Sequence, residues 1–301
     1  MKLTFLGTSC MVPTKERNVS SLYLEYKGEG ILFDCGEGTQ RQMNMAGIKR
    51  TKIKKILISH WHGDHVSGLI GLIQTIGNDE FPPTLRIYGP KDTKKRMDCL
   101  LKTCIFDQQV NLDIVELEPK GSIIKIYENQ DYCIYAADLS HKVPCIGFSF
   151  TEKEKRRIKK SYLKKHNIPE GHHLKDLQKG SDIIYKGKKV SAIDATYVVP
   201  GKKISYIADT VPCKGILMLS EDADIMVSES AYTSDLSDKA EKYNHMTAKD
   251  AAQMANQAGV KKLVLTHFSQ RYKNTLDILE EAENYFSSVV CAEDFMKISL
   301  K

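Results

Sequence analysis

Three histidines and one aspartate lie within six residues of one another in the segment SHWHGDH, residues 59–65. The apolar run before this segment predicts a β-strand, and the apolar run after it predicts a helix. In an extended chain His60 and His62 point to the same side, and the glycine that follows permits a turn that returns Asp64 and His65 to that side. Imidazole and carboxylate groups are ligands for zinc, manganese or iron. The segment therefore predicts a metal site.

Four potential ligands from one short loop are more than a single ion readily takes, which favours a pair of neighbouring ions. The alternative is a set of histidines on a polar surface loop. The apolar strand before the segment and the small residues in the helix after it, Ser67, Gly68 and Gly71, agree better with the metal site.

The elements around this segment predict a layered α/β (α+β) fold, in which sheets are covered by helices. Apolar runs predict strands at residues 3–6, 22–26, 31–34, 55–59, 85–88, 134–137, 203–208, 225–228 and 263–266. Amphipathic runs predict helices at residues 37–46, 66–76, 93–104, 248–258 and 274–286. Further strands are expected between residues 110 and 150. No internal repeat or low-complexity linker divides the sequence.

The composition excludes several classes of protein. The 301 residues are 42% hydrophobic and 27% charged, as in ordinary globular proteins and unlike disordered, collagen-like or coiled-coil chains. The longest apolar stretches are shorter than the ~18–20 residues that span a bilayer, so neither a membrane segment nor a signal peptide is predicted. The eight cysteines form no CxxC pair and predict reduced, buried thiols in a cytoplasmic protein.

The net charge of +6 is unevenly distributed. Residues 151–190 contain 13 Lys and Arg against 5 Asp and Glu, a local charge of +8, so the remaining residues carry −2. This stretch has few apolar residues and is expected to project as an insertion without its own core. Its first part, residues 153–165, predicts a basic helix anchored by Ile158, Tyr162 and Leu163.

A charge run is usually a solvated face, but its concentration in one insertion favours an anionic partner. A second basic run, KRTKIKK, covers residues 49–55. It is either part of the same charged face or a solvated turn, and the sequence leaves both open.

The HxHxDH pattern in this context resembles the metallo-β-lactamase superfamily, and within it the sequence is similar to the ribonuclease Z family of tRNA 3′-processing endonucleases. Four blocks carry the resemblance: FLGT at 5–8, PTKERN at 13–18, ILFDCGEGTQRQ at 31–42 and LTHFSQRY at 265–272. The resemblance implies one four-layer αββα domain over residues 1–301, in which residues 151–190 form an inserted tRNA-binding arm.

The resemblance also implies two divalent metal ions per subunit, with zinc as the expected metal. The implied ligands are one set for each ion and a bridging aspartate: His60, His62 and His141; Asp64, His65 and His267; and Asp209. His141, His267 and Asp209 each follow a predicted strand, as expected for ligands at the edge of a sheet.

The implied reaction removes the 3′ trailer from precursor tRNA. A hydroxide between the metals would attack the phosphodiester after the discriminator base and leave a 3′-hydroxyl on the tRNA. Asp64 would orient or deprotonate the water, and His245, supported by Glu229, would protonate the leaving oxygen. The alternative for His245 is a purely structural residue that precedes a helix capped by Thr247.

The implied RNA contacts lie in the PTKERN loop and in the arm: Lys15, Arg17 and Asn18; and Arg156, Arg157, Lys159, Lys160, Lys175 and Lys179. The family also implies a homodimer, in which the arm of one subunit presents tRNA to the site of the other.

Two other functions stay open. A small-molecule phosphodiesterase or hydrolase of the same superfamily would not need the +8 insertion. An inactive RNA-binding scaffold would be expected to have lost ligands, whereas all seven ligand positions are filled.

Overall fold

The computed structural model describes residues 1–80, 82, 84–105 and 110–300. They form two compact units. The larger one, which we call the body, comprises Met1–Tyr127, Ile134–Phe150 and Lys203–Lys301; the smaller one, the basic unit, comprises Glu128–Cys133 and Thr151–Lys202. None of the described helices has the length and apolar character needed to cross a membrane.

The described strands and helices follow one another in frequent alternation. The strands, β1 to β20 in chain order, are Lys2–Gly7, Ser9–Cys10, Ser21–Tyr26, Glu29–Phe33, Ile53–Leu57, Leu85–Pro90, Leu112–Leu117, Ile124–Glu128, Tyr132–Leu139, Cys145–Glu152, Lys155–Ile158, Ile183–Tyr185, Lys188–Val190, Thr196–Val199, Lys203–Ile207, Ile225–Glu229, Leu263–Thr266, Phe268–Ser269, Val289–Cys291 and Lys297–Ser299. The α-helices, α1 to α11, are Thr39–Met45, Gly63–Val66, Leu69–Gly77, Thr93–Leu101, Lys160–Lys165, Lys175–Gln178, Ala192–Ala195, Lys214–Ser220, Ser237–Tyr243, Ala248–Gln257 and Leu276–Glu283. Short 3₁₀ turns cover Arg50–Lys52, His172–Leu174 and Ser234–Leu236.

Two seven-stranded sheets organise the body. The first has the order β20-β1-β3-β4-β5-β6-β7 and the second the order β19-β17-β16-β15-β10-β9-β8. In the first sheet β4, β5, β6 and β7 run parallel, and in the second β15, β16, β17 and β19 do so. Parallel strands end at the same edge of their sheet, so each sheet has one edge at which several loops meet.

The sheets pack face to face through aromatic side chains. Phe33 of the first sheet contacts Phe148 and Tyr206 of the second, with ring centroids 6.3 and 5.2 Å apart. On the outer faces, α1, α3 and α4 pack against the first sheet and α8, α10 and α11 against the second. The predicted four-layer αββα sandwich is therefore confirmed.

Each predicted strand and helix corresponds to an observed element; β17 has the predicted bounds, and the ends of the others are shifted. The helix expected over residues 66–76 is two helices, α2 and α3, separated at Gly68. The expectation of buried thiols holds for Cys10, Cys35, Cys133 and Cys145, whereas Cys99 and Cys104 are exposed; all eight cysteines are free.

The basic unit has a small core of its own, so the expectation of an insertion without one was wrong. Its buried residues are Leu163, Ile168, Leu174, Leu177, Val190, Ala192 and Ala195. The predicted anchors Ile158 and Tyr162 pack against this cluster. The apolar residues are spread over more than thirty positions and extend beyond residue 190, which is why a count within one stretch missed them.

The single helix predicted over residues 153–165 was also wrong. The structure has the strand β11 followed by the helix α5. β11 pairs antiparallel with β14, so that Lys155 lies opposite Val199 and Ile158 opposite Thr196. The pairing partner lies forty residues further along, and local charge and spacing carry no signal of it.

Candidate metal centre

The candidate site lies where parallel strands of both sheets end. In the first sheet Asp34 follows β4 and His60 comes three residues after β5; in the second sheet Asp209 follows β15, Glu229 ends β16 and His267 follows β17. Ligand sites of open α/β sheets lie beyond the carboxyl ends of the strands, and this site conforms to that rule.

One group of ligand atoms comes from three histidines and one oxygen of Asp209. His62 Nδ1 lies 3.0 Å from His60 Nε2 and 3.4 Å from His141 Nε2. Asp209 Oδ2 lies 3.6 Å from His60 Nε2. The four residues can direct one ligand atom each at a common centre.

A second group uses the other oxygen of the same aspartate. His65 Nε2 and His267 Nε2 are 3.3 Å apart, and each lies 3.4 or 3.3 Å from Asp209 Oδ1. Asp64 Oδ2 lies 3.5 Å from His65 Nε2 and 3.4 Å from His267 Nε2. The two oxygens of Asp209 thus face two different ligand groups, and the structure brings all seven predicted ligand positions together.

This donor set fits divalent metal ions. Zinc–ligand bonds of ~2.0–2.2 Å in a tetrahedral site place neighbouring ligand atoms roughly 3.3–3.6 Å apart. The separations given above lie in that range, except for the shorter 3.0 Å between His60 and His62. Asp209 Oδ1 is buried and has no hydrogen-bond partner among the described residues. A buried carboxylate oxygen is costly unless it is paired, and a cation would pair it.

Asp34 orients His65 of the second group by a hydrogen bond to the nitrogen that faces away from the other ligand atoms. Its Oδ2 accepts hydrogen bonds from His65 Nδ1 at 2.7 Å, Ser59 Oγ at 2.7 Å and Tyr206 Oη at 2.9 Å. Its Oδ1 accepts the backbone N–H of Ser59 at 2.7 Å. Because Nδ1 of His65 donates to this carboxylate, Nε2 is the nitrogen that faces the centre. Asp34 therefore fixes both the tautomer and the ring orientation of His65.

Two other ligands are fixed in the same way. His141 Nδ1 donates to the carbonyl oxygen of Asn244 at 3.0 Å. His60 Nδ1 lies 3.0 Å from Ser59 Oγ, whose own hydrogen goes to Asp34. In both cases Nε2 is left to face the ligand group, as a metal-binding imidazole requires.

The pKa shifts divide the histidines into two kinds. Burial, reinforced by the neighbouring His65, holds the pKa of His60 well below its usual range. Although burial acts in the opposite direction, Asp209 and Asp34 raise the pKa of His65 well above it, and Asp209 does the same to the pKa of His267. The pKa of Asp209 lies well below its usual range, because the surrounding histidines outweigh its burial. The negative charge of Asp209 thus stabilises positively charged groups at this centre.

His245 and Glu229 form a pair beside the ligand groups. His245 Nδ1 lies 3.0 Å from Glu229 Oε1, which also accepts the backbone N–H of Thr210 at 2.8 Å. Burial acts to lower the pKa of His245, but Glu229 and Asp209 outweigh it and raise the pKa to about 9. Thr247 does cap α10, as expected, and forms a capping box with Asp250. His245 is therefore placed to keep a proton near the metal centre.

Two glycines let the segment around the HxHxDH motif approach the loop after β4. The N–H of Cys35 donates to the carbonyl oxygen of His65 at 2.7 Å, and the N–H of Gly68 donates to that of Cys35 at 2.9 Å. A Cβ on Gly68 would clash with the carbonyl oxygen of Gly36, and a Cβ on Gly36 would clash with that of Asp64. The break between α2 and α3 is where this close approach occurs.

The PTKERN loop is held against the segment that carries His267. Arg17 is only 9% exposed, and its Nη2 donates to the carbonyl oxygens of Tyr272 at 2.6 Å and Ser269 at 3.4 Å. Asn18 Nδ2 donates to the carbonyl oxygen of Glu37 at 2.8 Å. Both side chains position the loop in the structure, and their contact with RNA stays a prediction. Lys15 is the exposed cation of this loop.

The predicted arm contacts all lie in the basic unit. Arg157, Lys160, Lys175 and Lys179 are exposed, whereas Arg156 and Lys159 are half-buried. Two of the exposed lysines face carboxylates of the same unit: Lys160 at 3.5 Å from Glu170 and Lys179 at 3.9 Å from Asp176.

Asp34, Ser59 and Tyr206 were missed as functional residues by the sequence analysis. A signal was present for Asp34, since a carboxylate directly after an apolar strand, next to the strand that precedes HxHxDH, would lie at the same sheet edge. Tyr206 carried no such signal, because it lies within a strand of the other sheet.

An αββα sandwich with these two ligand groups at its strand ends defines a metal-dependent hydrolase of the metallo-β-lactamase fold. Ribonuclease Z of Methanothermobacter thermautotrophicus is 37% identical to the chain, over 100% of the chain and 97% of that protein. Ribonuclease Z of Nocardia farcinica is 36% identical over 99% of the chain and 97% of that protein. The chain belongs to the ribonuclease Z family.

Solved structures agree with this assignment. The crystal structure of human tRNase Z, short form, superposes with a TM-score of 0.73 at 28% identity and covers 100% of both chains. The metallo-beta-lactamase fold protein YhfI of Bacillus subtilis, at 18% identity, shares the fold with a TM-score of 0.71 over 99% of this chain and 98% of its own. A family model described as the anti-Pycsar protein Apyc1 matches residues 1–143.

Proposed function

We propose that the protein removes the 3′ trailer from precursor tRNA by hydrolysing the phosphodiester after the discriminator base. The observation that carries this proposal is the pair of ligand groups joined by Asp209. It occurs in a chain that aligns over its full length with a ribonuclease Z. A hydrolase of small molecules is not favoured by that full-length similarity.

Two zinc ions would be held by the two ligand groups, with Asp209 shared between them. When bound, they would supply positive charge to the phosphate oxygens and lower the pKa of a water molecule to near neutrality. Asp64 and Asp209 are carboxylates at neutral pH, since nearby histidines hold the pKa of each well below its usual range despite burial.

Asp64 and His245 would handle the protons. Asp64 Oδ2 accepts the backbone N–H of Met11 at 2.8 Å, which fixes the carboxylate beside His65 and His267. Its position suits orientation of the attacking water. The oxygen of that water forms a bond to phosphorus and its proton passes to Asp64, while the bond between phosphorus and the 3′-oxygen breaks and that oxygen takes a proton from His245. The 3′-hydroxyl stays with the tRNA and the phosphate with the trailer.

The basic unit would grip the tRNA through its exposed cations. Such contacts are made to phosphates, carry little sequence information and weaken steeply with salt.

We include in the proposal a homodimer in which the basic unit of one subunit presents tRNA to the site of the other, as the family resemblance implies.

Metal removal tests the proposal directly. A purified sample incubated with a chelator and then desalted is expected to lose cleavage of a precursor tRNA that carries a 3′ trailer. Zinc added back should restore it, with product ends at the discriminator base read on a sequencing gel. Full activity after chelation, with metal absent by elemental analysis, would contradict the proposed centre.

The paired carboxylate of Glu229 should set the alkaline limit of cleavage. A general acid must be protonated, so activity falls as the pH rises through the pKa of His245, about 9. Glu229→Gln removes the charge that raises this pKa, and the alkaline limb of the kcat profile is expected to move to lower pH. The exposed Glu280 offers the matched control Glu280→Gln, which should leave the limb in place. An unchanged limb in Glu229→Gln would rule out His245 as the acid.

A further inference from the structure

Four lysines converge on a cleft at the end of the first sheet opposite to the metal centre. Lys2 opens β1, Lys52 directly precedes β5, Lys297 opens β20, and Lys49 comes from the turn before β5. They line a cavity of about 270 Å³, which we call the lysine cleft. The metal ligands lie beyond the other end of β5, so the two sites are separated by the length of the sheet.

Strand register places the cleft on one face of the sheet. Thr4 of β1 lies opposite Lys297 of β20 and opposite Tyr23 of β3. Residues directly opposite one another in antiparallel strands point to the same face, with Cβ atoms ~4.5–5.5 Å apart. Lys2 and Glu25 form the next row on that face. The floor of the cleft is thus a regular array built from three strands.

The charge of the cleft is poorly balanced. Lys52 Nζ lies 3.0 Å from Glu25 Oε1. Among the described residues, none of the other three lysines forms an ion pair. Lys2, Lys49 and Lys297 are exposed and add three positive charges to the same small volume. Like charges brought together in this way favour a bound anion.

Tyr23 lies beneath the cleft, and its hydroxyl is closed off from it against Gly30 of β4. Its side chain lies on the floor and is 1% exposed, and its hydroxyl has no hydrogen-bond partner among the described residues. Burial, with a further contribution from Glu25, raises the pKa of Tyr23 to about 12, so the hydroxyl keeps its proton. Tyr23 therefore forms an apolar part of the floor, and the cations at the rim are the groups that face the cavity.

We propose that the lysine cleft is a phosphate-binding site, with Lys2, Lys49 and Lys297 as the cations that bind the phosphate. A tetrahedral phosphate offers several acceptor oxygens to donors that converge from different directions, and lysine binds it as a point charge. The phosphate is either free in solution or part of an RNA backbone. The basic run of residues 49–55, which the metal centre does not use, thereby acquires a role.

Titration of the metal-loaded protein with inorganic phosphate, followed by calorimetry, tests the site. Lys49→Ala and Lys297→Ala are each expected to weaken binding about tenfold, as the loss of a charged hydrogen bond would. Tyr23→Phe should leave the affinity unchanged, because its hydroxyl is closed off from the cleft. The matched control is Lys54→Ala, an exposed lysine of the same basic run that lies outside the cleft. Phosphate bound at the metal centre is common to all four variants and does not alter the comparison.

A second measurement identifies the source of the phosphate. If it belongs to RNA, Lys49→Ala and Lys297→Ala should raise KM for a precursor tRNA severalfold while kcat stays within twofold. If it is free, KM should not change although phosphate binding is lost. The thermal midpoint of Tyr23→Phe should be unchanged or higher, because the variant removes an unpaired hydroxyl. The site is overturned if Lys49→Ala and Lys297→Ala match Lys54→Ala in both phosphate affinity and KM.

Discussion

Replacing Asp64 by alanine is expected to lower tRNA cleavage by at least about 10³-fold, since loss of a residue that only orients a ligand already costs 10–100-fold. Asp64 Oδ2 is within 3.5 Å of both His65 Nε2 and His267 Nε2, so the change leaves two histidines without their carboxylate partner. Elemental analysis should show close to one metal ion fewer per subunit. Single-turnover cleavage of a labelled precursor would measure the loss of rate.

The comparison needs a variant with the same change of charge and no contact with the centre. Asp238 is exposed in the first turn of α9, and Asp238→Ala should keep full metal content and activity. Asp64→Ala with normal turnover would disprove the assignment of this loop as the catalytic site. Normal metal content with lost turnover would instead restrict Asp64 to the handling of water.

Removal of the basic unit is expected to separate two activities that share one centre. Glu152 N–H donates to the carbonyl oxygen of Lys202 at 2.8 Å, so the two ends of the insertion are adjacent. A variant in which residues 153–201 are replaced by a two-residue Gly-Ser link can therefore close without distortion. Its kcat/KM for precursor tRNA should fall at least about 100-fold, because contacts to phosphates supply much of the affinity for nucleic acid.

The same variant should hydrolyse a small chromogenic phosphodiester within about twofold of the intact protein. That activity also reports whether the body is folded. A second variant of the full-length chain, Lys175→Glu with Lys179→Glu, keeps the unit and reverses two exposed charges. It should raise KM for tRNA and leave hydrolysis of the small phosphodiester unchanged. Undiminished tRNA cleavage by the deletion variant would show that the basic unit does not bind the substrate.

The ligand residues could be predicted because the family resemblance implies them and the sequence places several of them after apolar strands. HxHxDH is a local pattern, and His141, Asp209 and His267 stand at strand ends that meet at one edge of the sandwich. The positions of these strands follow from hydrophobic runs alone. The resemblance already implied that Asp209 bridges the two sets. What the pattern could not give is which nitrogen of each histidine faces the centre, such as Nδ1 of His62 and Nε2 of His60.

Interactions between residues far apart in sequence could not be predicted. Tyr206 reaches Asp34 across the two sheets, and Arg17 reaches the carbonyl oxygens after His267. The core of the basic unit likewise depends on Leu163 meeting Ala195, which no local window contains. Such contacts depend on tertiary packing, whereas the sequence pattern reports only which side of an element is apolar.

The origin of the ligands in two different sheets links metal binding to folding. His60, His62, Asp64 and His65 come from the first sheet, and His141, Asp209 and His267 from the second, so each bound ion cross-links the two halves of the sandwich. An ion that binds only the folded state stabilises it by ~4.1 kcal/mol when free metal exceeds its dissociation constant a thousandfold. This is comparable to the total stability of many domains, about 5–15 kcal/mol. Metal supply would then control the amount of folded enzyme as well as its activity, and a shortage would deplete the protein by degradation.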